Sequence, residues 1–415
     1  MTNGNLSRAN LGREKIQRSA VGMVLFFLML PFEYPLAELS VYSPLRYVSV
    51  LVMGLALLDI FFSDGILRLD KRIIMVLAWL AFAVLSYLWC ATKEGYREHI
   101  SIYFNNTAMF LLVSAVSYSN KSYKLAENSF IAGTVLLLLY MTFVPGATAE
   151  SEWQSRLTLA FDGEALLDQN YLAALMTMQY GMLLYDILVE KERKKHRILK
   201  FAIIVAILYY TLRAGSRGGL LSMGVITIIC VALGVKKNLW KILLLIVAAL
   251  FVVPYMLTFI PETVLERFSL EALLGQTEES GSRLEIWTVA WEAVRSRNFV
   301  LGYGAGNAQA IIGREYTRDA ATHNAYLAQL LELGIVGLGL FGGVMWSTAR
   351  ELFQNKYIRL GVAFVGILVT GMFLDVITTK FFWAAMMLVT MRINSNRNAP
   401  ISTTRTDEDH QAVEG

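Results

Sequence analysis

Apolar runs of about 18–22 residues, the length a helix needs to cross a bilayer, recur along almost the whole chain. They constrain its fold more than any other feature. The 415 residues are 56% hydrophobic and only 17% charged, where a soluble domain carries nearer about a quarter charged residues. Mean hydropathy is +0.50. These features predict an all-α, polytopic membrane protein and exclude a soluble enzyme with a single anchor. The formal charge of +4 says little about partners, because membrane topology dictates where the charges lie.

Hydropathy places about twelve spans, near 20–38, 44–62, 73–91, 100–118, 125–145, 167–189, 198–213, 217–235, 241–260, 323–348, 358–374 and 376–392. The positive-inside rule orients them. Both termini are expected in the cytoplasm, with the basic stretch KERKKHRILK at 191–200 on the same side. The organisation expected is a cytoplasmic segment 1–19, nine spans over 20–260, an extracytoplasmic loop 261–322, three spans over 323–393 and a disordered cytoplasmic tail 394–415. Val21–Leu30 follows a basic start and lacks an A-x-A cleavage site, so it reads as a retained first helix. Cys90 and Cys230 lie in apolar segments near opposite membrane faces, so no disulfide is expected.

Two outer loops are large. Residues 146–166 are acidic, with Glu150, Glu152, Asp162 and Glu164 against Arg156. Residues 261–322 carry six arginines and no lysine, a combination suited to an anionic, phosphate-bearing substrate. Within this loop 280–296 predicts an amphipathic helix, capped by Ser280 or Ser282, with Trp287 and Trp291 on one face. It is expected to lie on the outer surface, over a cavity between spans.

Five constellations bear on chemistry. RAGSRGG, 213–219, packs Arg213 and Arg217 with three glycines into a short outer turn. Glycine lets backbone N–H groups approach a ligand closely, and the arginine fork suits phosphate oxygens; the alternative is a tight turn with snorkelling arginines. Arg283 opens the surface helix, where helix N-termini favour anions, whereas Arg267, Arg295, Arg297, Arg314 and Arg318 read as a coat on the loop. LGYGAGN, 301–307, lacks the preceding strand of a dinucleotide fingerprint and reads as a turn folding the loop back over the cavity. His323-Asn324 sits where the loop enters a long apolar helix. His323 suits a general base, a phosphate contact or a helix-start residue. Asp168, Gln169 and Asn170 open the sixth span, with Asp168 a capping residue and Asn170 facing the same cavity. His99 is the other outer histidine, His196 and His410 are cytoplasmic, and no metal-type spacing occurs, so no catalytic metal is expected.

Taken in order, SRGG, SGSR…W, LGYGAGN and THNAYLAQLLELGIVGL resemble the O-antigen ligase and polymerase superfamily over roughly 155–345. The resemblance implies a GT-C-like helical fold. It also implies transfer of a glycan from an undecaprenyl-pyrophosphate-linked donor at the periplasmic face of a bacterial inner membrane. The acceptor is a sugar hydroxyl of lipid A-core for a ligase, or a lipid-linked glycan for a polymerase. By motif position it assigns catalysis to Arg217, Arg283 and His323, and substrate contacts to Arg213, Asn324, Asn170 and Arg156. RLTLAFDG…DQN has Asp-Gln where a proline often precedes the family's asparagine. Inversion at the anomeric carbon follows from direct attack by the acceptor hydroxyl. No cofactor, ATP site or nucleic-acid partner is called for; membrane lipids are. A ligase is favoured over a polymerase. The rivals are a multi-spanning transporter, whose best intramembrane charges are Asp375 and Lys380, read otherwise as pairing with each other, and a non-catalytic lipid-binding scaffold.

Overall fold

The computed structural model describes residues 15–39, 43–62, 70–150, 155–190, 193–235, 239–269, 278–315 and 321–396. The expected tail beyond 396, Glu152, Arg318 and His410 lie outside these residues, as do the side chains of Ser280, Ser282 and Arg297. The architecture is predominantly helical. In chain order the helices are α1 (Arg18–Glu38), α2 (Pro44–Phe62), α3 (Lys71–Leu88), α4 (Lys93–Ala115), α5 (Asn120–Phe143), α6 (Gln169–Leu188), α7 (Lys194–Arg213), α8 (Arg217–Val235) and α9 (Leu239–Leu257), then α10 (Glu278–Arg297), α11 (Ala308–Glu315), α12 (Ala325–Gln354), α13 (Ile358–Thr370) and α14 (Lys380–Asn396). Among the described residues, α1, α2, α3, α5, α8 and α12 are long and apolar enough to cross a membrane, with shorter apolar helices at Ile242–Leu257 and Ile358–Thr370.

Side-chain caps set several helix starts, each satisfying backbone N–H groups that have no partner inside the helix. Ser119 accepts from Ser122 N at 3.1 Å and Asp168 from Asn170 N at 2.8 Å. Asn324 accepts from Tyr326 N and Leu327 N, both at 3.0 Å. The Asp168 cap is the one the sequence predicts.

The bundle forms around α6, which is buried without a break from Met176 to Leu188 and packs on α13, α8 and α7. A helix apolar on all sides belongs at such a centre. The second core lies where Trp79 of α3 meets Tyr103, Phe341 and Trp383, ring centroids 5.0–6.4 Å apart. Its polar atoms are satisfied internally. Trp79 Nε1 donates to Gln329 Oε1 at 2.8 Å, and the Tyr103 hydroxyl donates to the Glu332 carboxylate at 2.9 Å.

Four features depart from the sequence reading. The acidic loop folds into a three-stranded antiparallel sheet in the order β1 (Thr148–Glu150), β2 (Leu157–Phe161), β3 (Glu164–Ala165), with Thr148 opposite Leu159 and Phe161 opposite Glu164. Asp162 and Gly163, both at positive φ (51° and 83°), make the two-residue turn such hairpins favour. The LGYGAGN segment docks in the bundle, against the break in α12. Tyr303 N and Gly304 N donate to the carbonyls of Leu331 and Glu332, at 2.9 and 2.7 Å, where Gly334 (φ 63°) breaks α12. A Cβ on Gly302 would lie 2.4 Å from the Glu332 carbonyl, so only glycine permits this approach. The helix expected to float on the surface instead packs Ile286, Ala290 and Val294 on Ile311, Ile312, Leu330 and Leu331 of α11 and α12. Finally, Lys380 pairs with Glu33 and not with Asp375, whose Oδ1 is buried without a hydrogen-bond partner among the described residues.

Candidate active site

The start of α6, the α7–α8 turn and the loop before α12 meet at one end of the bundle. The turn is Ala214–Ser216, three residues between Arg213 and Arg217, and Gly215 takes a left-handed φ of 60°. Two buried guanidiniums clamp it. Arg156, just before β2, donates from Nε to the Ala214 carbonyl at 2.9 Å, and Arg267 donates from Nε to the Gly215 carbonyl at 3.2 Å. They are 8% and 7% exposed, so they act from inside the protein and not as a coat on the loop. Asn170 joins the turn to α6: its Oδ1 accepts from Ser216 Oγ at 3.1 Å and from an Arg156 terminal nitrogen at 3.5 Å. Ser216 Oγ in turn accepts from Gly219 N at 3.3 Å, capping α8.

The glycines of RAGSRGG serve this packing. A Cβ on Gly218 would lie 2.6 Å from Phe373 Cβ, and one on Gly219 would lie 2.6 Å from Ala173 Cβ. Their role is close contact between segments; the approach of backbone to ligand that the sequence suggested is not what these two positions provide. Arg217 stands half-buried in the first turn of α8. Arg213 at the end of α7 pairs with Glu150 of β1, tying the hairpin to the turn.

The second half of the site surrounds His323. Trp287 of α10 donates from Nε1 to the Thr322 carbonyl at 2.8 Å, and Ala325 N donates to the Gly371 carbonyl at 2.8 Å. Between these fixed points His323 adopts φ 48°, a strained conformation for a side-chain-bearing residue, of the sort that clusters at functional sites. Arg283 lies one helical turn before Trp287 and is thereby brought to the imidazole. Burial, and next the positive charge of Arg283, hold the His323 pKa below its ordinary value, while the Asp168 carboxylate pulls it the other way. The ring is therefore neutral near pH 7. Asn324 spends its Oδ1 on the α12 cap.

The two halves join at Asp168 and Asn170, two residues apart on α6, so Arg217, Arg156, Asn170, His323 and Arg283 share one end of the bundle. Sequence reasoning missed Arg267, Ser216 and the nearness of Asp168 to His323. Beside Asp168 opens a cavity of about 660 Å³. Tyr34, Leu167 and Tyr171 line it near Asp168, and Phe26, Met109 and Trp383 carry it into the apolar core.

A helical membrane protein with a cluster of arginines and one neutral histidine at one end is thus the class defined by fold and site. Residues 202–342 match the family model described as O-antigen ligase. Through this segment, from within α7 into α12, the chain is similar to the O-antigen ligase and polymerase superfamily. No curated protein matches the chain.

Proposed function

We propose that this protein is a ligase-type glycosyltransferase that moves a glycan from undecaprenyl pyrophosphate to a sugar hydroxyl of lipid A-core. In this reading twelve helices span the bacterial inner membrane and the site lies at the periplasmic face. The observation that carries it is the convergence of Arg217, Arg283 and His323 on one end of the bundle, with His323 held neutral.

The acceptor hydroxyl oxygen attacks the anomeric carbon as the bond from that carbon to the pyrophosphate oxygen breaks, inverting the centre. The hydroxyl proton passes to the neutral imidazole of His323, and the electron pair of the broken bond leaves with the pyrophosphate. Arg217 and Arg283 stabilise the charge that develops there, since preorganised donors aimed at developing charge contribute most to such steps. A protonated His323 beside Arg283 would be two like charges in a half-buried place, which favours the base role over a cationic phosphate contact. Arg156 and Arg267 act indirectly, by fixing the turn that carries Arg217. The 660 Å³ cavity suits the prenyl chain of the donor, polar at the Asp168 end and apolar beyond.

The polymerase reading differs in its acceptor, and mutant cells separate the two. Loss of a ligase leaves long lipid-linked glycan and strips it from lipid A-core. If lipid-linked chains shrink to single repeat units instead, the protein is a polymerase.

A further inference from the structure

The opposite end of the bundle carries a second concavity. Asp186 follows Asp168 by 18 positions on α6, about 27 Å along the helix at 1.5 Å per residue. There a groove of about 1000 Å³ opens between α5 and α7. Ile131, Ala132, Val135 and Leu136 of α5 form one wall, Leu199 and Ile203 of α7 the other, and Leu183 of α6 the floor. From Lys124 at the rim to Leu136 is 12 residues, about 18 Å of helix. That matches the hydrocarbon of one leaflet, half of the roughly 30 Å bilayer core.

The rim is charged. Arg359 is committed internally: its Nε donates to Asp186 Oδ1 at 2.5 Å and the guanidinium also pairs with Glu127. Lys200 reaches Asp186 Oδ2 at 2.6 Å. Lys124 and Lys356 are exposed. Arg392 donates to Asn120 Oδ1 at 3.0 Å and lies over the rings of Tyr123 and Tyr357, 5.0 and 4.6 Å from their centroids. Five cationic side chains thus face three carboxylates, the third being Glu190, and two positive charges are left over. The basic run Arg193–Lys195 adjoins the same end.

We propose that this groove binds one anionic phospholipid from the leaflet opposite the candidate active site. Lys124, Lys356 and Arg392 hold its phosphate, and one acyl chain lies along α5 and α7. Surplus positive charge at a membrane surface selects anionic headgroups, and the apolar walls below the rim are what a soluble anion would not use. A bound lipid fills the gap between α5, which packs chiefly on α1, and α7, which packs on α6; the two helices scarcely meet each other. The proposal does not depend on the glycan-transfer reading.

Native mass spectrometry of the full chain, titrated with phosphatidylglycerol, phosphatidylcholine or inorganic phosphate, tests it. One phosphatidylglycerol should remain bound, about tenfold more tightly than phosphatidylcholine, and inorganic phosphate should not displace it. Lys124→Gln with Lys356→Gln should lower its retention about tenfold, and Ala132→Phe, which fills the groove but leaves the rim charges, should do the same. The lysines are exposed, so that pair decides the matter if Ala132→Phe does not fold. Equal retention of both lipids, unchanged binding in the lysine pair, displacement by phosphate alone, or a lipid-free dimer would each overturn the assignment.

Discussion

Replacing Gly215 by alanine tests whether the clamped turn positions Arg217 for the proposed transfer. Gly215 has φ 60°, a region that costs a side-chain-bearing residue roughly 1–2 kcal/mol. Its new Cβ would lie 3.2 Å from Cδ and Nε of Arg267 and 3.3 Å from Nε of Arg156. Both guanidiniums are buried and donate to the turn's own carbonyls, so neither can swing away without losing a charge-assisted bond. The turn must shift by tenths of an ångström, and Arg217 shifts with it. Stability should fall by about 1–2 kcal/mol, while transfer should fall by about tenfold or more, since misplacement by about 1 Å can cost on the order of 10² in rate. Gly224→Ala is the control, because a Cβ there meets nothing within 4 Å. A helix gains about 1 kcal/mol from that change, and activity should hold. Thermal unfolding and a transfer assay with purified lipid-linked donor read both variants. If folded Gly215→Ala transfers within about threefold of wild type, the turn does not position the site and the reasoning fails.

Further outcomes are expected from the same geometry. His323→Ala should lose orders of magnitude in single-turnover rate with donor binding retained; equal losses in both would make it a binding residue. The base acts when neutral, so the wild-type rate should be full above the His323 pKa and fall as pH drops through it, below about 6.5. Asp168→Asn, which keeps a capping side chain but removes the charge that raises that pKa, should move this limb to lower pH. Arg283→Ala should move the imidazole titration, followed by NMR of labelled histidine, to higher pH; an unmoved titration would refute the pairing. Gly334→Ala should abolish folded protein, because its Cβ would lie 2.2 Å from the Val300 carbonyl oxygen, and normal expression would show that the kink is dispensable.

Much of the architecture was legible because apolar runs report on helices directly. Helices lie near each expected span, while α10 and α11 fall in the expected outer loop and six of the described helices are long and apolar enough to cross a membrane; α4 begins at Lys93 and not near 100, since its first turns are polar. The hairpin escaped notice because β2 has only five residues, too few for alternation to stand out from the flanking apolar sequence. Its Asp-Gly turn was the available signal. At the site, local motifs marked Arg217, at the start of α8, and His323, just before α12; they also marked Arg283, although α10 begins at Glu278 and Arg283 lies in its second turn and not at its opening as expected. Nothing local marked Arg267, whose partner carbonyl is 52 residues away, or the charge of Asp168 on His323, which arises only when α6 and the α12 loop meet. The LGYGAGN glycines read as a turn, while the reason for Gly302 is a carbonyl of α12, a contact between segments remote in sequence.

Single-turnover transfer by purified protein, with donor binding measured alongside, tests the central claim most directly. The account predicts that wild type moves glycan from the lipid pyrophosphate to the acceptor, with or without EDTA, and that Arg217→Ala and Arg283→Ala each abolish transfer while the protein stays folded. Activity within about threefold of wild type in both folded variants, or solute flux through liposomes without any transfer, would contradict it.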